Sequence, residues 1–472
     1  MSSEWYELIG RPKFVVAPMV DASEIAWRLL CRRHGAQLCY TPMFHSNVFT
    51  KDPKYRKDNF VTCDEDRPLI VQFCGNNPEV MAAAAKYVEN DCDAIDINLG
   101  CPQIIAKRGR YGSYLQDEWD LLSNIVQTMT KAVSVPITCK VRIFESIEKT
   151  VKYALMLQNA GCKLLTVHGR TREQKGPLTG IASWKHIKAV REAISIPMFA
   201  NGNIQCLEDV YRCLEFTNVN GVMSAEGTLT NPAIFEGINP LVWEMADEYL
   251  DLVEKYPCPS SYIRGHMFKM FHKIFTIEDN FDDRHLLATA QNLSDFRQVS
   301  MNIRDKYLPY HHGKVHFEDG ENMYSNGYNL ILPPWICQPY VRMSPEQHKN
   351  KMEELSKKQQ NNENKRIHED SEGVVLSRKK MKKLKRIMRR PIKPDSQQHT
   401  RGQESCVSDA CRNPLGGKCV YQLCKKCCKE KCFKEVLDCK GHRILVLTRR
   451  ELAKTFEENR SAIPVLNQLE TF

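Results

Sequence analysis

The residue type best suited to chemistry in this chain is a cysteine, Cys101, within the run DINLGCPQ (96–103). It follows an apolar stretch, residues 94–99, and lies between a glycine and a proline. We therefore expect it where a buried strand ends, the corner at which a parallel α/β barrel presents reactive groups. A thiol with its ordinary pKa of about 8.5 keeps a proton at neutral pH and can donate it. A buried structural cysteine is the competing interpretation.

The elements that must position this cysteine repeat along the first half of the chain. Short β-rich apolar runs cover residues 14–19, 38–43, 69–74, 94–100, 137–143, 164–170, 196–203 and 221–227. Helical periodicity lies between them, for example at residues 78–90, 118–132 and 146–160. Eight such units in about 215 residues predict the α/β class and a (β/α)8 TIM barrel rather than an open sheet.

Polar or conformationally special residues cluster where these runs end. They are APMV (17–20), Gln72, NLGCP (98–102), KVR (140–142), HGRT (168–171), NGN (201–203) and SAEG (224–227). Because the carboxyl ends of barrel strands share one face, we expect these residues to form one site.

The order and spacing of these motifs resemble the tRNA-dihydrouridine synthase family of flavoenzymes, over residues 14 to about 340. The segments YTPMFHS, NLGCPQ and AEGTLTNPAIF are most similar to the eukaryotic branch that acts on uridines 16 and 17 of the tRNA D-loop. The resemblance implies FMN as cofactor, NADPH or NADH as reductant and tRNA as substrate. It also implies two steps: NAD(P)H reduces FMN, and reduced FMN then delivers hydride to uracil C6 while Cys101 protonates C5.

The same resemblance implies a set of FMN-binding residues. They are Pro18, Met19, Val20, Gln72, Lys140, His168, Asn201, Gly202, Asn203, Ala225 and Glu226. Backbone N–H groups at NGN and at Ala225-Glu226 suit a phosphate, and Gly202 permits close approach. Lys140 is the cation expected near the pyrimidine edge of the flavin. Bacterial relatives tend to carry Arg at the position of Glu226, so we expect Glu226 to contribute its backbone.

Contacts to tRNA are expected on the same face, since the target base must be flipped out of its stack to reach a barrel mouth. The segment after Cys101, interpreted as a Gly-flanked loop, carries three cations that suit the flanking phosphates. The substrate candidates are Asn98, Lys107, Arg108, Arg110, Arg142 and Arg170. A solvated surface is the competing interpretation for the loop cations.

Length and composition describe a soluble globular protein of several domains, with 472 residues, 42% of them hydrophobic and 26% charged. No run approaches 18 apolar residues and no signal-peptide pattern opens the chain, so we expect no membrane partner and a reducing compartment. The expected domains are an FMN-binding barrel (1–248), a helical tRNA-binding domain (249–343), a polar and basic disordered linker (344–405), a cysteine-rich module (406–443) and a tail (444–472).

The cysteine-rich module contains eight of the 20 cysteines. With one histidine they make nine candidate zinc ligands: Cys406, Cys411, Cys419, Cys424, Cys427, Cys428, Cys432, Cys439 and His442. Two structural zinc ions that share eight of the nine fit best, with interleaved ligand pairs as one arrangement. Disulfides and free thiols remain the alternatives. The lysines of this module suit nucleic acid, and a protein partner is equally open.

The net charge of +10 is concentrated at residues 378–390, which hold nine basic residues and no acidic one. Nuclear import, attraction of the tRNA backbone and a solvated helix are all open uses for this run. We expect a cytoplasmic protein, with a nuclear pool as a hypothesis.

Two other functions compete with a tRNA reductase. One is a flavin barrel that acts on a free pyrimidine, as in dihydroorotate dehydrogenases. The basic segment after Cys101, the helical domain and the basic run argue against it, because a small substrate needs none of them. The other is a catalytically silent RNA-binding protein, against which the intact Cys101, Lys140 and His168 argue.

Overall fold

The computed structural model describes residues 2–317 and 332–340, residues 406–451 apart from positions 409, 410, 412, 414 and 417, and the isolated residues 346, 347, 350 and 454. The chain forms two compact units, residues 1–364 and 365–472. The predicted linker (344–405), with its basic run, lies almost entirely outside the described residues, as does most of the tail.

Eight parallel strands close into a barrel in chain order, with the last strand pairing with the first. They are β1 (Phe14–Val16), β2 (Leu38–His45), β3 (Leu69–Cys74), β4 (Ala94–Leu99), β5 (Ile137–Arg142), β6 (Leu165–His168), β7 (Met198–Asn201) and β8 (Gly221–Ser224). The predicted (β/α)8 barrel is confirmed. Every strand lies within its predicted run except β2, which continues to His45.

Helices alternate with the strands. They are α1 (Ser2–Leu8), α2 (Ile25–Arg33), α3 (Ser46–Lys51), α4 (Pro53–Asn59), α5 (Pro78–Lys86), α6 (Ile104–Gly109), α7 (Trp119–Ala132), α8 (Ile147–Asn159), α9 (Trp184–Ala193), α10 (Leu207–Thr217) and α11 (Glu226–Thr230). Local sequence sets their starts: Asn77 caps α5 and Ser146 caps α8 by accepting backbone N–H bonds.

Alternation along the strands separates two cores. On β4, Ile95, Ile97 and Leu99 pack toward the helices, whereas Ala94 joins the apolar core inside the barrel. Asp96 and the other polar side chains of the interior lie above that apolar floor, toward the carboxyl ends of the strands. A packed apolar core inside the barrel therefore supports the face at which the strands end.

Four further helices form the helical domain: α12 (Val242–Lys255), α13 (Ser260–Met270), α14 (Phe281–Thr289) and α15 (Leu293–His311). The helices predicted in this region are present, and α12 packs against both α15 and α2. The predicted boundary between residues 248 and 249 falls inside α12, because its buried face continues through Tyr249 and Leu250.

A buried polar cluster joins the helical domain to the barrel. Glu24, which immediately precedes α2, accepts a hydrogen bond from Tyr249 Oη at 2.7 Å and lies 3.1 Å from His266 Nε2. Trp27 stacks on His266 with ring centroids 3.8 Å apart. Removing one member of a buried pair of this kind costs about 3–5 kcal/mol, so the cluster fixes how the two parts pack.

The second unit is small. Its described residues form α16 (Lys425–Glu435) and an antiparallel pair, β9 (Asp438–Cys439) and β10 (Ile444–Leu445). Its buried core consists of three cysteines and Val446. A core of this size needs cross-links or metal ions for stability.

Across the described part of the chain, no helix combines the length and the apolar character needed to cross a membrane.

Candidate active site at the barrel mouth

A cavity of about 1380 Å³ opens at the carboxyl ends of the strands. Its walls include Met19 after β1, Pro102 after β4, His168 at the end of β6, and Asn201 at the end of β7. Ligand cavities usually have volumes of about 300–1,000 Å³. This cavity therefore has room for more than one small group.

Cys101 stands at the end of β4, as predicted, and is half-buried. Asn98 Oδ1 accepts from its backbone N–H at 2.9 Å, and Ser113 Oγ donates to its carbonyl oxygen at 2.9 Å. Gly112 has a φ of 64°, and a Cβ there would lie 2.8 Å from the Cys101 oxygen. The backbone around the thiol is therefore held on both sides.

Arg142, predicted as a substrate contact, also holds this loop. Its Nε donates to the Gly100 carbonyl at 2.8 Å, and its Nη1 donates to the carbonyls of Thr171 at 2.8 Å and Gln174 at 3.0 Å. Burial and the Arg170 cation lower its pKa to about 10, which leaves it charged at neutral pH. The side chain lines the cavity and ties together the loops after β4 and β6.

Lys140 lies on β5 and is half-buried. Its Nζ donates to Asn201 Oδ1 at 2.9 Å. Burial lowers the pKa of Lys140 to about 8, with Arg142 acting in the same direction and with Asp96 and Cys101 opposing it. This lysine therefore changes charge close to physiological pH.

His168 ends β6, the strand next to β5, and is hydrogen-bonded to Arg170. Arg170 Nη1 lies 3.1 Å from His168 Nε2, and because a guanidinium only donates, that nitrogen must accept. Burial and the nearby cations Lys140, Arg142 and Arg170 hold the pKa of His168 well below its usual range. The imidazole is therefore neutral, with its proton on Nδ1.

The turn after β7 forms a backbone cradle. Gly202 has a φ of 114°, and a Cβ there would lie 2.7 Å from Ala182 Cβ and 3.1 Å from His168 Cδ2. Neither the Gly202 nor the Asn203 N–H has an acceptor among the described residues. Asn203 Oδ1 is held by Arg170 Nη2 at 2.7 Å. Two free N–H groups beside a neutral histidine donor fit the phosphate of FMN.

The remaining predicted cofactor residues lie in three kinds of place. Ala225 and Glu226 line the cavity beside this cradle. Pro18 is half-buried and Val20 is 55% exposed, and neither is among the lining residues. Gln72 is fully buried beneath the cavity, with its amide bonded to Asp96 and Asn98.

The segment after Cys101 differs from the predicted loop, because residues 104–109 form α6. Ile104 and Ile105 from this helix line the cavity, so α6 stands at its rim. Lys107 and Arg108 are exposed on it, and Arg110 pairs with Glu118 at 3.1 Å. Two of the three predicted phosphate contacts therefore project from a short helix.

Sequence reasoning assigned no role to Asp96, which is fully buried and bonded to Gln72 and Thr138. The sequence did contain a signal for it. Asp96 is a charged residue in an otherwise apolar strand, and it shares a face with Asn98 because residues two apart on a strand point the same way. Gly112 and Gln174 were also missed, since their contacts form only when the loops meet.

The second unit gathers its candidate metal ligands into two groups with interleaved order. They are Cys406, Cys411, Cys424 and Cys427 in one, and Cys419, Cys428, Cys439 and His442 in the other. Within each group the ligand atoms lie within 4.8 Å of one another. Ligands of a tetrahedral zinc with bonds of about 2.3 Å are about 3.8 Å apart. The Cys411–Cys424 and Cys419–Cys439 sulfur pairs, at 3.6 and 3.9 Å, fit that geometry.

Cys432 is the ninth candidate. It is fully buried, and its sulfur lies 3.9 Å from that of Cys428. It therefore packs directly against the second group without being one of its four members.

Fold and site together define a (β/α)8-barrel enzyme with a cysteine beside the cavity at the end of β4 and a backbone cradle suited to a phosphate in the cavity wall. The chain matches the family described as dihydrouridine synthase (Dus) over residues 15–307. It belongs to the dihydrouridine synthase family.

Named relatives extend beyond the barrel. A mouse (Mus musculus) protein named tRNA-dihydrouridine(16/17) synthase-like is 50% identical over 453 residues, which cover 95% of this chain and 91% of that protein. The tRNA-dihydrouridine(16/17) synthase of Schizosaccharomyces pombe is 44% identical over 362 residues, covering 72% of this chain and 90% of the relative. The Saccharomyces cerevisiae enzyme of the same name is 43% identical, covering 71% and 85%.

Proposed function

We propose that this chain reduces uridines 16 and 17 of the tRNA D-loop to 5,6-dihydrouridine, with FMN as cofactor and NADPH or NADH as reductant. The mouse and yeast relatives carry that specificity in their names. The observation that carries the proposal is Cys101, held at the end of β4 next to Pro102, which lines the same cavity as Gly202 and Asn203 of the cradle.

When bound, FMN supplies the hydride that adds to uracil C6. The chain offers its phosphate the N–H groups of Gly202 and Asn203 and the Nδ1–H of His168. Lys140 donates to Asn201, which lines the cavity, and so offers a cation next to that wall. A charged lysine at this place stabilises negative charge on the reduced cofactor.

Cys101 holds the proton that uracil C5 receives. The S–H bond breaks as the C5–H bond forms, which leaves a thiolate on Sγ. Lys140 is close enough to Cys101 for the two charges to interact, so its cation stabilises that thiolate. The clamps from Asn98, Ser113 and Arg142 keep the donor in one place while the base approaches.

The tRNA contacts are expected around the rim, because the base must be flipped into the cavity while its phosphates stay outside. Lys107 and Arg108 on α6 are placed for those phosphates. Phosphate contacts position the substrate without reading its sequence. The choice of uridines 16 and 17 therefore depends on where the helical domain holds the rest of the tRNA.

The second unit is proposed to bind two structural zinc ions and to assist RNA binding through its exposed lysines, Lys425, Lys426 and Lys429. Protein partners for this unit, and nuclear entry directed by residues 378–390, remain proposals supported by charge alone. A fluorescent reporter that carries residues 375–395 tests the second, and a wholly cytoplasmic reporter would refute it.

NADPH oxidation by the purified full-length flavoprotein tests the proposed reaction. Unmodified tRNA should stimulate oxidation, whereas the same tRNA with dihydrouridine already at positions 16 and 17 should not. Stimulation by free orotate or uridine instead would favour the free-pyrimidine alternative. Protein that carries no flavin and oxidises no NADPH would favour a silent RNA-binding protein.

A further inference from the structure

A chain of hydrogen bonds inside the barrel ends on the backbone of Cys101. Asp96 Oδ2 accepts from Gln72 Nε2 at 2.8 Å, and Gln72 Oε1 accepts from Asn98 Nδ2 at 2.8 Å. Asn98 Oδ1 in turn accepts from the Cys101 N–H at 2.9 Å. We call this chain of three side chains, Asp96, Gln72 and Asn98, the relay.

The direction of every bond in the relay follows from Asp96. An ionised carboxylate only accepts, so Gln72 must turn its NH2 toward Asp96 and its oxygen toward Asn98. Asn98 must then donate to Gln72, which leaves its own oxygen for the Cys101 N–H. A reversed Asn98 would bring an NH2 against that N–H, with two donors facing each other and no bond.

The barrel register holds the carboxylate itself in place. Gln72, Asp96 and Thr138 are lateral neighbours on β3, β4 and β5, so their side chains enter the barrel at one level. Thr138 Oγ1 donates to the second carboxylate oxygen at 2.6 Å. Because both oxygens are engaged, Asp96 cannot turn away from Gln72.

Packing does not account for a carboxylate at this position. Asp96 is fully buried and forms no direct salt bridge among the described residues, although it is close enough to Lys140 for the two charges to interact. Burying a carboxylate without a direct ion pair is costly, and an apolar side chain of similar size would fill the same space. The carboxylate adds a counter-charge for Lys140 and a fixed acceptor at the start of the relay.

We propose that Asp96 is a positioning residue that orients the Cys101 backbone through Gln72 and Asn98 and thereby aims the thiol. The proposal rests on the proposed function for the step it serves, the transfer of a proton from Cys101 Sγ to uracil C5.

The variant Asp96→Asn tests the proposal in the full-length flavoprotein, because it keeps the volume but offers a donor as well as an acceptor. Alkylation of Cys101 by iodoacetamide, followed by mass spectrometry of its peptide, should become about tenfold faster, the equivalent of one lost hydrogen bond. Reduction of tRNA in a single turnover should slow about 100-fold, as expected for a donor misplaced by about 1 Å. Flavin content should not change, whereas flavin reduction by NADPH should slow near neutral pH, because Asp96 helps to keep Lys140 charged.

Tyr153→Phe is the control. It removes a buried hydroxyl on α8 that has no hydrogen-bond partner among the described residues. Its alkylation rate, flavin content and tRNA reduction should equal those of the wild type.

A rescue variant separates the relay from general damage to the barrel. In Asp96→Asn/Asn98→Asp the carboxylate moves to position 98, where it accepts from the Cys101 N–H. Gln72 then turns round, so that its NH2 donates to the carboxylate at position 98 and its oxygen accepts from the amide at position 96. The alkylation rate should return to the wild-type value. If Asp96→Asn does not fold, Thr138→Val, which frees one carboxylate oxygen, should show the same changes to a smaller degree.

Wild-type alkylation and tRNA reduction in Asp96→Asn would overturn the proposal, as would a double variant that stays as reactive as the single one. Alkylation needs no tRNA. It therefore decides the positioning role even if the wild-type protein forms no dihydrouridine, which would count against the proposed function alone.

Discussion

Lys140 lies on β5 and His168 on the adjacent strand β6. Burial lowers the pKa of both side chains, because it disfavours their charged forms. For His168 the surrounding cations add to burial, so the imidazole stays neutral throughout the physiological range. For Lys140 the carboxylate of Asp96 and the Cys101 sulfur partly offset burial, and its pKa is held at about 8. Lys140 is therefore the group whose charge follows pH near neutrality.

The rate of flavin reduction by NADPH should fall as pH rises through about 8 in the variant Cys101→Ala. A lysine is cationic below its pKa, so the charge that stabilises the reduced cofactor is present at pH 7 and lost at pH 9. Removing Cys101 also removes a group that raises the pKa of Lys140, so the fall should begin slightly earlier. Stopped-flow absorbance across this range measures it.

Lys140→Met in the same background is the control and should give a slow, pH-independent rate. A Cys101→Ala profile that stays flat up to pH 9 would show that the Lys140 charge does not support this step.

At the residue scale, motif and position along a strand were enough to predict where Cys101, Lys140 and His168 stand. The partner of each side chain was not predictable in the same way. Arg142 was predicted to contact the substrate, but its N–H groups donate to the backbone carbonyls of residues 100, 171 and 174. Those carbonyls converge only once the barrel is closed.

The shape of the cradle after β7 is set by its backbone conformation and not by its side chains. Gly202→Ala should abolish most FMN binding, since a residue with a Cβ is strained at a φ of 114° and the added atom would lie 2.7 Å from Ala182 Cβ. Flavin content after purification and titration of apoprotein with FMN measure the loss.

Gly265→Ala, inside α13, is the matched substitution. A Cβ at Gly265 meets nothing within 4 Å, and alanine favours a helix interior by about 0.5–1 kcal/mol over glycine. This variant should keep its flavin and unfold at a slightly higher temperature. Equal flavin content in both variants would contradict the role of the cradle.

Strand and helix periodicity predicted the barrel elements almost to the residue. It failed for α6. Gly109 and Gly112 favoured a loop, but residues 104–109 form a helix at the cavity rim and Gly109 is its last residue. A glycine can mark the end of a helix as well as a loop.

At the scale of the whole molecule, the two units are stabilised by different means. The barrel unit has extensive apolar cores, whereas the described residues of the second unit bury little besides cysteines. Ligand spacing predicted two zinc ions and nine candidate ligands, but not which eight would bind or how they would divide. That division depends on which cysteines the folded chain brings together. The structure divides eight of them into two groups of four.

The full-length protein should therefore contain two zinc ions per chain by elemental analysis. Cys406→Ser and Cys439→Ser, one from each group, should each remove about one of the two. Cys63→Ser, in the barrel unit, should remove none. A wild-type content of one zinc ion, or none, would refute the two-site arrangement.

The most direct test of the central claim is nucleotide-resolved detection of dihydrouridine in unmodified tRNA incubated with the full-length protein, FMN and NADPH. The wild type should form dihydrouridine at positions 16 and 17. Cys101→Ala should retain its flavin and its reduction by NADPH yet lose most of the product. Product formed by Cys101→Ala at the wild-type rate, or absent from a wild type whose flavin NADPH reduces, would contradict the account.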